Sequence, residues 1–337
     1  MLSPRENFLE TIRRNGKPDR LVNQWEALSI VTTDPIQSYI RGPRYRGMPP
    51  TVDQWGVTYI WPEDQLAALP EHSRSPQAIP DVTSWRETLR TPDLAQCAAP
   101  ALWGETCAKA AQVDRSQTLL VGFMPYGTFE LVHSFMGFEN AFINFMLEPE
   151  AMAELCEHVG EFRLAYLKLL VERLRPDAIL FHDDWGSKTS LFMSPETWRT
   201  FLRPQHAKLF AYAREQGLVS IHHADSFLEP IVGDMVEMGV DVWQGALPEN
   251  DIVRLQKETA GAITFMGGLD VSKIDLETAT EAEIRAEVRR ACESYAPGGH
   301  YIPSLTYGGP SFICERARPI VTDEIARYNE AHFGVRG

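Results

Sequence analysis

A (β/α)8 barrel, one α/β domain spanning residues 1–337 with an irregular N-terminal elaboration, is the fold this sequence predicts. Three observations carry the expectation. Apolar strand-like runs alternate with helical periodicity beyond about residue 115, at a spacing of roughly 35 residues, the rhythm of parallel βαβ units. The strand-like runs number eight when two early ones are included. No Gly-x-Gly-x-x-Gly follows any of them, so the open doubly wound dinucleotide-binding sheet has no support.

The early runs are 21–25 and 57–61, set in a stretch rich in Pro, Trp and polar residues where 64–84 reads as an elaborated loop. The later runs are 118–124, 178–182, 218–223, 240–244, 263–267 and 301–305. Between them, residues 149–174 place Met152, Leu155, Cys156, Val159, Phe162 and Tyr166 at three- and four-residue spacing, one apolar face of a helix. Ser194 followed by Pro195 marks a helix start, as does the Thr280 and Glu283 capping box. Arg175-Pro176-Asp177 and Glu215-Gln216-Gly217 are short stops between helix and strand.

Composition narrows the function classes. An apolar content of 44% supports a sizeable core, and 46 acidic against 32 basic residues leave a net charge of −14 without the basic stripe that a nucleic-acid binder needs. The start of the chain has no signal-peptide pattern and no apolar run approaches a membrane span, so the expectation is a cytoplasmic protein without membrane partners. Cys97, Cys107, Cys156, Cys292 and Cys314 include no Cys-x-x-Cys pair, which argues against a disulfide scaffold or thiolate zinc knuckle. Cys156 and Cys292 read as core thiols.

Chemistry is expected where strands end, at the C-terminal mouth of the barrel. The run 178–181 delivers His182, Asp183, Asp184 and Trp185 there, and 218–221 delivers His222, His223 and Asp225. Gln244 and Asp270 would join the same rim, with His300 as a further member. A lone histidine after a strand is more often a hydrogen-bonded structural residue than a ligand; a cluster of this size shifts the balance toward function. One use is a Zn²⁺ site with an open position, for which His222, His223, Asp225 and His300 are candidates. Adjacent His222 and His223 point to opposite faces in strand geometry, so only one can line the cavity. The other use is metal-free acid and base work, with His300 beside Asp184. Trp25 and Trp185 could line a flat apolar pocket, and each could equally be core. His206 reads as a surface residue.

Several segments together resemble the uroporphyrinogen decarboxylase superfamily: Pro4-Arg5-Glu6-x-Phe8, Lys17-Pro18-Asp19-Arg20, Asp53-Gln54-Trp55-Gly56-Val57, Phe181-His182-Asp183-Asp184-Trp185-Gly186, Ser194-Pro195-Glu196, the His222 loop, Gly239-Val240-Asp241 and Gly267-Gly268-Leu269-Asp270. The resemblance implies a (β/α)8 barrel and one of two activities, metal-free decarboxylation of uroporphyrinogen or zinc-dependent methyl transfer involving corrinoid proteins or coenzyme M. Decarboxylases of this kind carry an arginine-rich segment after the first strand. Here Asn23-Gln24-Trp25-Glu26-Ala27-Leu28 has no arginine, which counts against an octa-anionic tetrapyrrole. Tyr166, His300 and Asp53 resemble decarboxylase positions and keep that activity as the alternative. The methyltransferase branch shows His-x-Cys where this chain has His222-His223-Ala224-Asp225, so the implied metal site is a harder His/Asp set.

The combined expectation is a metal-assisted methyltransferase, with a small methylated donor such as an aryl methyl ether and a corrinoid protein as acceptor. It assigns Asp184, Asp183, His300 and Tyr166 to catalysis, Trp25, Asp53, Trp185, Gln244 and Tyr307 to substrate, and His222, His300 and Asp225 to Zn²⁺. The alternatives are uroporphyrinogen decarboxylase and a non-catalytic barrel that binds a small ligand; a homodimer is compatible with each.

Overall fold

Apolar runs such as Ala178-Ile179-Leu180-Phe181 offer no polar side to solvent, and each becomes a strand buried on both faces. In the computed structural model, which describes residues 1–65, 67–73, 77–306 and 315–335, seven strands form one parallel sheet. They are β1 (Leu28–Val31), β2 (Leu119–Met124), β3 (Ala178–His182), β4 (Val219–His223), β5 (Val242–Ala246), β6 (Thr264–Gly268) and β7 (Tyr301–Ser304), neighbours in space in that same order. The helices that position the site are α1 (Pro4–Ile12), α2 (Pro35–Arg41), α3 (Thr128–Met136), α4 (Phe138–Leu147), α5 (Pro149–Leu174), α6 (Arg203–Glu215), α7 (Glu281–Tyr295) and α8 (Ala317–Phe333). None of the described helices is long and apolar enough to cross a membrane.

The sheet is curled. Val121, Leu180, Ile221, Val242, Met266 and Ile302, from six successive strands, meet in one buried cluster that Phe8 of α1 and Val22 also enter. Residues of alternate parity, such as Ile179, Phe181, Trp243 and Phe265, join the larger cluster between sheet and helices. Two hydrophobic layers therefore lie on opposite faces of one wall, as a barrel requires.

Of the eight expected strands, six hold within two residues. The run 21–25 is not a ladder strand: Leu21 exchanges backbone hydrogen bonds with the Asn329 side chain, Asn23 bonds to Thr322, and Gln24 accepts from Leu305 N just past β7. The first ladder strand instead uses Leu28–Val31, because Asn23 and Gln24 spend their side chains on α8 and the β7 end. The run 57–61 also leaves the barrel. Thr58–Ile60 is the middle strand of a small antiparallel sheet with Thr51–Val52 and Leu69–Pro70, and only Tyr59 of the three is buried. The described residues thus hold a curled seven-stranded parallel sheet rather than eight barrel strands. Helix starts follow the sequence: Ser194 caps its helix through Thr197 N, and Thr280 with Glu283 forms a reciprocal capping box on α7. Cys156 and Cys292 are buried.

Candidate active site

Strand register creates the site. His182 on β3 pairs laterally with His223 on β4, which pairs with Gln244 on β5. These three follow the interior residues Leu180, Ile221 and Val242 by two positions, so period-two alternation puts all of them on the inner face at the C-terminal end. The His182 and His223 rings stack 4.5 Å apart at 17°, and Phe123 of β2 stands edge-on to His182 at 6.3 Å. Asp184 and Asp225 sit two residues beyond, where the strands break, and Asp225 N donates to Asp184 Oδ1 at 3.2 Å.

Both imidazoles are oriented from behind. His182 places Nδ1 3.1 Å from Glu130 Oε2 on α3. His223 Nδ1 donates to Gln244 Oε1, and Gln244 is itself fixed because its Nε2 donates to Thr306 O at 2.6 Å. With Nδ1 occupied on each ring, Nε2 is the atom left for the cavity. His182, Asp184 and His223 each offer one donor atom, all within 4.8 Å of one another.

The electrostatics follow from this packing. Burial alone would lower the His182 pKa, but Glu130, Asp184 and Asp183 outweigh it and raise it to about 10. Burial and the neighbouring His182 charge push His223 down to about 4. Burial drives the Asp184 carboxyl well above the usual range, against the pull of His182 and with the help of Asp225 and Glu130. In the absence of a ligand this pocket holds its positive charge on His182. Two oriented imidazoles and one carboxylate with an open side fit a divalent cation such as Zn²⁺, which would displace the His182 proton.

Directly behind the wall lies a second set of the same residue types with a different fate. Asp183 is fully buried and accepts from His206 Nε2 (2.8 Å), Trp185 Nε1 (3.0 Å), Phe129 N and Glu130 N (both 3.1 Å). Those bonds, with Arg163 nearby, overcome burial and hold its carboxyl well below the usual range. Burial in turn lowers His206, so a neutral imidazole donates to an ionised carboxylate. Gly127 makes this possible, since a Cβ there would lie 1.6 Å from Asp183 Cγ. Asp183 therefore anchors the N-terminus of α3, and through it Glu130, with both of its oxygens engaged. His206, expected on the surface, is fully buried.

The other expected residues are distributed as follows. His222 occupies the outward row, stacked on Trp185 at 4.0 Å and edge-on to His206 at 5.8 Å, with neither ring nitrogen bonded. Alternation along β4 puts it on the row opposite His223. Trp185 is likewise core, packed on Trp198 and His206. His300 precedes β7, and its ring lies against Gly261 in the turn before β6, so it sits at the N-terminal end of the strands, away from the mouth. Trp25 packs against the interior cluster. Asp53 closes the turn before Thr58, accepting from Trp55 N (2.9 Å) and Val57 N (3.0 Å) with Arg44 at 3.7 Å. Tyr166 donates to Asp34 Oδ2 at 2.6 Å, tying α5 to the N-cap of α2. Tyr307 lies outside the described residues. Of the expected set, the structure brings together Asp184, Asp225 and Gln244 at one mouth, with His182 and His223 completing the group.

Glu130 is the residue that sequence reading missed. Its signal was present: Gly127-Thr128-Phe129-Glu130 follows a strand with Glu at the N3 position of a capping box, and Glu130 Oε2 does accept from Gly127 N at 2.9 Å. The stretch that follows the first strand is also displaced from 23–28. Because the first ladder strand is Leu28–Val31, the segment that follows it contains Arg41 and Arg44; Arg41 packs over the Tyr126 ring and Arg44 donates to the Tyr126 hydroxyl at 2.6 Å.

Comparison with known proteins bears on the family and the fold. The sequence profile described as uroporphyrinogen decarboxylase (URO-D) matches residues 53–314. The chain belongs to this family. The URO-D match contains the whole His182, Asp184, His223 and Gln244 group. Among solved structures, a methyltransferase from Methanosarcina mazei superposes with a TM-score of 0.66 over 97% of this chain and 99% of its own, at 14% identity, and so shares the fold. No curated protein matches the sequence.

Proposed function

We propose that this URO-D family member is a metal-assisted methyltransferase of the cytoplasm that moves a methyl group from a small methylated compound, such as an aryl methyl ether, to a corrinoid protein. The observation that supports it most is the pairing of His182 and His223 with their Nδ1 atoms tied back to Glu130 and Gln244 and their Nε2 atoms free beside Asp184. The solved neighbour carrying the name methyltransferase adds to it. The metal set is His182, His223 and Asp184 in place of His222, His300 and Asp225, with Asp225 on the rim beside it.

Demethylating an ether breaks the bond between oxygen and methyl, forms the bond between methyl and acceptor, and leaves the electron pair on oxygen as a phenolate. A divalent ion held by these three residues would supply a Lewis acid for that oxygen. The chain's own contribution is orientation: Gln244 fixes the His223 tautomer, Glu130 fixes the His182 ring, and Phe123 offers an apolar edge to an aryl group. In the metal-free protein the carboxyl of Asp184, kept protonated by burial and by Asp225 and Glu130, is the group positioned to donate a proton to the leaving oxygen.

One observation favours decarboxylation of an acidic substrate as a second reading: Arg41 and Arg44 follow the first strand and meet at Tyr126. Two measurements separate the readings. Purified protein reconstituted with Zn²⁺ is expected to retain about one ion per chain, and His223→Ala to lose it along with more than ~100-fold in activity while staying folded. Demethylation is read as phenol release from an aryl methyl ether with reduced cobalamin as acceptor. A chain that holds no metal, releases no phenol and converts uroporphyrinogen would replace this reading with the second.

A further inference from the structure

Two arginines line one small cavity, and neither forms an ion pair among the described residues. The cavity, about 20 Å³, lies between α2, α5 and the loop after β2, with Ile40, Trp55 and Phe162 among its apolar walls and Tyr126 on one side. Arg163 of α5 lines it and is only 1% exposed; its Nη1 lies 3.4 Å from Thr128 Oγ1, while Nε and Nη2 have no partner. Arg41 of α2 lines it from the other side, stacks on Tyr126 at 4.8 Å and makes no ion pair among the described residues.

The acids nearest Arg163 are already engaged. Asp183 accepts from His206, Trp185 and two α3 amides, and Glu130 from His182 and Gly127 N. A buried guanidinium with two partnerless nitrogens is costly, and a chain with net charge −14 has no shortage of carboxylates to pair with it. Two arginines that form no ion pair among the described residues and line one apolar-walled space are what an anion from outside the chain would complete. The volume suits one or two water-sized centres, hence a single small group.

We propose that this cavity is a site for one small monoanion, either a halide or the carboxylate group of a short organic acid, held by Arg163 within and Arg41 at the α2 side. It is separate from the His182 mouth and does not depend on the reaction assigned there.

The test uses the full chain in gluconate at constant ionic strength, replacing gluconate by chloride or by formate. The melting temperature is expected to rise saturably by about 1–2 °C, and Arg41→Gln to abolish the rise. Arg41 serves for the variant because it is partly exposed, whereas losing buried Arg163 threatens the fold itself. A rise with chloride assigns the site to a halide, and a rise with formate alone assigns it to a carboxylate. Crystals soaked in bromide give the second measurement, with an anomalous peak expected beside Arg163 if halides bind. An equal rise in Arg41→Gln marks a general salt effect and overturns the proposal. So does the absence of a saturable rise with either anion, and a bromide peak without that rise counts as binding at crystal concentration only.

Discussion

The two faces of β3 and β4 carry the same chemistry and treat it in opposite ways. On the inner face, His182, His223 and Asp184 are oriented from behind and left open toward the mouth. On the outer face, His206, His222 and Asp183 are sealed among Trp185, Trp198 and Phe210, and both oxygens of Asp183 accept hydrogen bonds. Residue type and position at a strand end are therefore insufficient to mark a site. What separates the faces is whether a donor atom remains unsatisfied on the side where a ligand can arrive.

The largest effect expected from breaking this contrast falls on stability. Asp183→Ala leaves His206, Trp185 Nε1 and two α3 amides without their acceptor, and should cost about 3–5 kcal/mol in urea unfolding. Asp184→Ala, on the open side, should change stability far less while removing metal retention. If both variants prove equally stable, the outer carboxylate is not the anchor described here.

A third buried carboxylate, Asp53, sharpens the comparison through pH. Its pKa is raised to about 6 because burial outweighs its backbone hydrogen bonds and Arg44. The folded protein then binds this proton more tightly than the unfolded chain, so the contribution is fully present below about pH 4 and is lost as pH rises through 6. Asp53→Asn keeps an oxygen for Trp55 N and Val57 N but removes the titration. It should match the wild type near pH 4 and exceed it near pH 7 by up to about 3 kcal/mol, read from denaturation at both pH values. A constant difference across that range would refute the assignment.

Gln244 tests how far orientation matters on the inner face. It touches His223 with one atom and Thr306 O with the other. Gln244→Ala should weaken Zn²⁺ affinity by about 10- to 100-fold, measured by competition with a chelator, with His223 itself still present. Unchanged affinity would mean that β4 alone orients the ring.

The sequence made the mouth legible and its wiring illegible. Runs such as Ala178-Ile179-Leu180-Phe181 announce buried strands, and the histidines and aspartates that end them announce a rim. Which of His222 and His223 enters the cavity depends on a single residue of register, and in a strand buried on both faces the side-chain pattern does not by itself say which face is the inner one. His300 was grouped with the rim although its strand begins only at 301, and a residue just before a parallel strand lies at the end opposite the mouth. The strand at 57–61 was mistaken because a short alternating strand of a small antiparallel sheet and a short barrel strand share the same β-branched and aromatic residues. His206 was hidden for a different reason: its partner, Asp183, is 23 residues away in sequence and its helix is polar on the opposite face.

The smallest predicted effect is also the most discriminating for the contrast between faces. His222 is fully buried, stacked on Trp185 and edge-on to Phe210 at 6.0 Å, and neither of its nitrogens has a partner. Burial lowers its pKa well below the usual value, so it stays neutral and contributes chiefly as a flat ring. Replacing a buried polar ring that makes no hydrogen bond with an apolar ring removes a desolvation cost while keeping the stacking surface. His222→Phe should therefore leave Zn²⁺ retention intact and change unfolding stability by no more than about 1 kcal/mol, in either direction, since the extra ring volume opposes the gain. The neighbouring His223→Phe, one residue along the same strand, should abolish metal retention. Loss of the metal in His222→Phe, with the fold preserved, would return the ligand role to the outer histidine and reverse the assignment of faces.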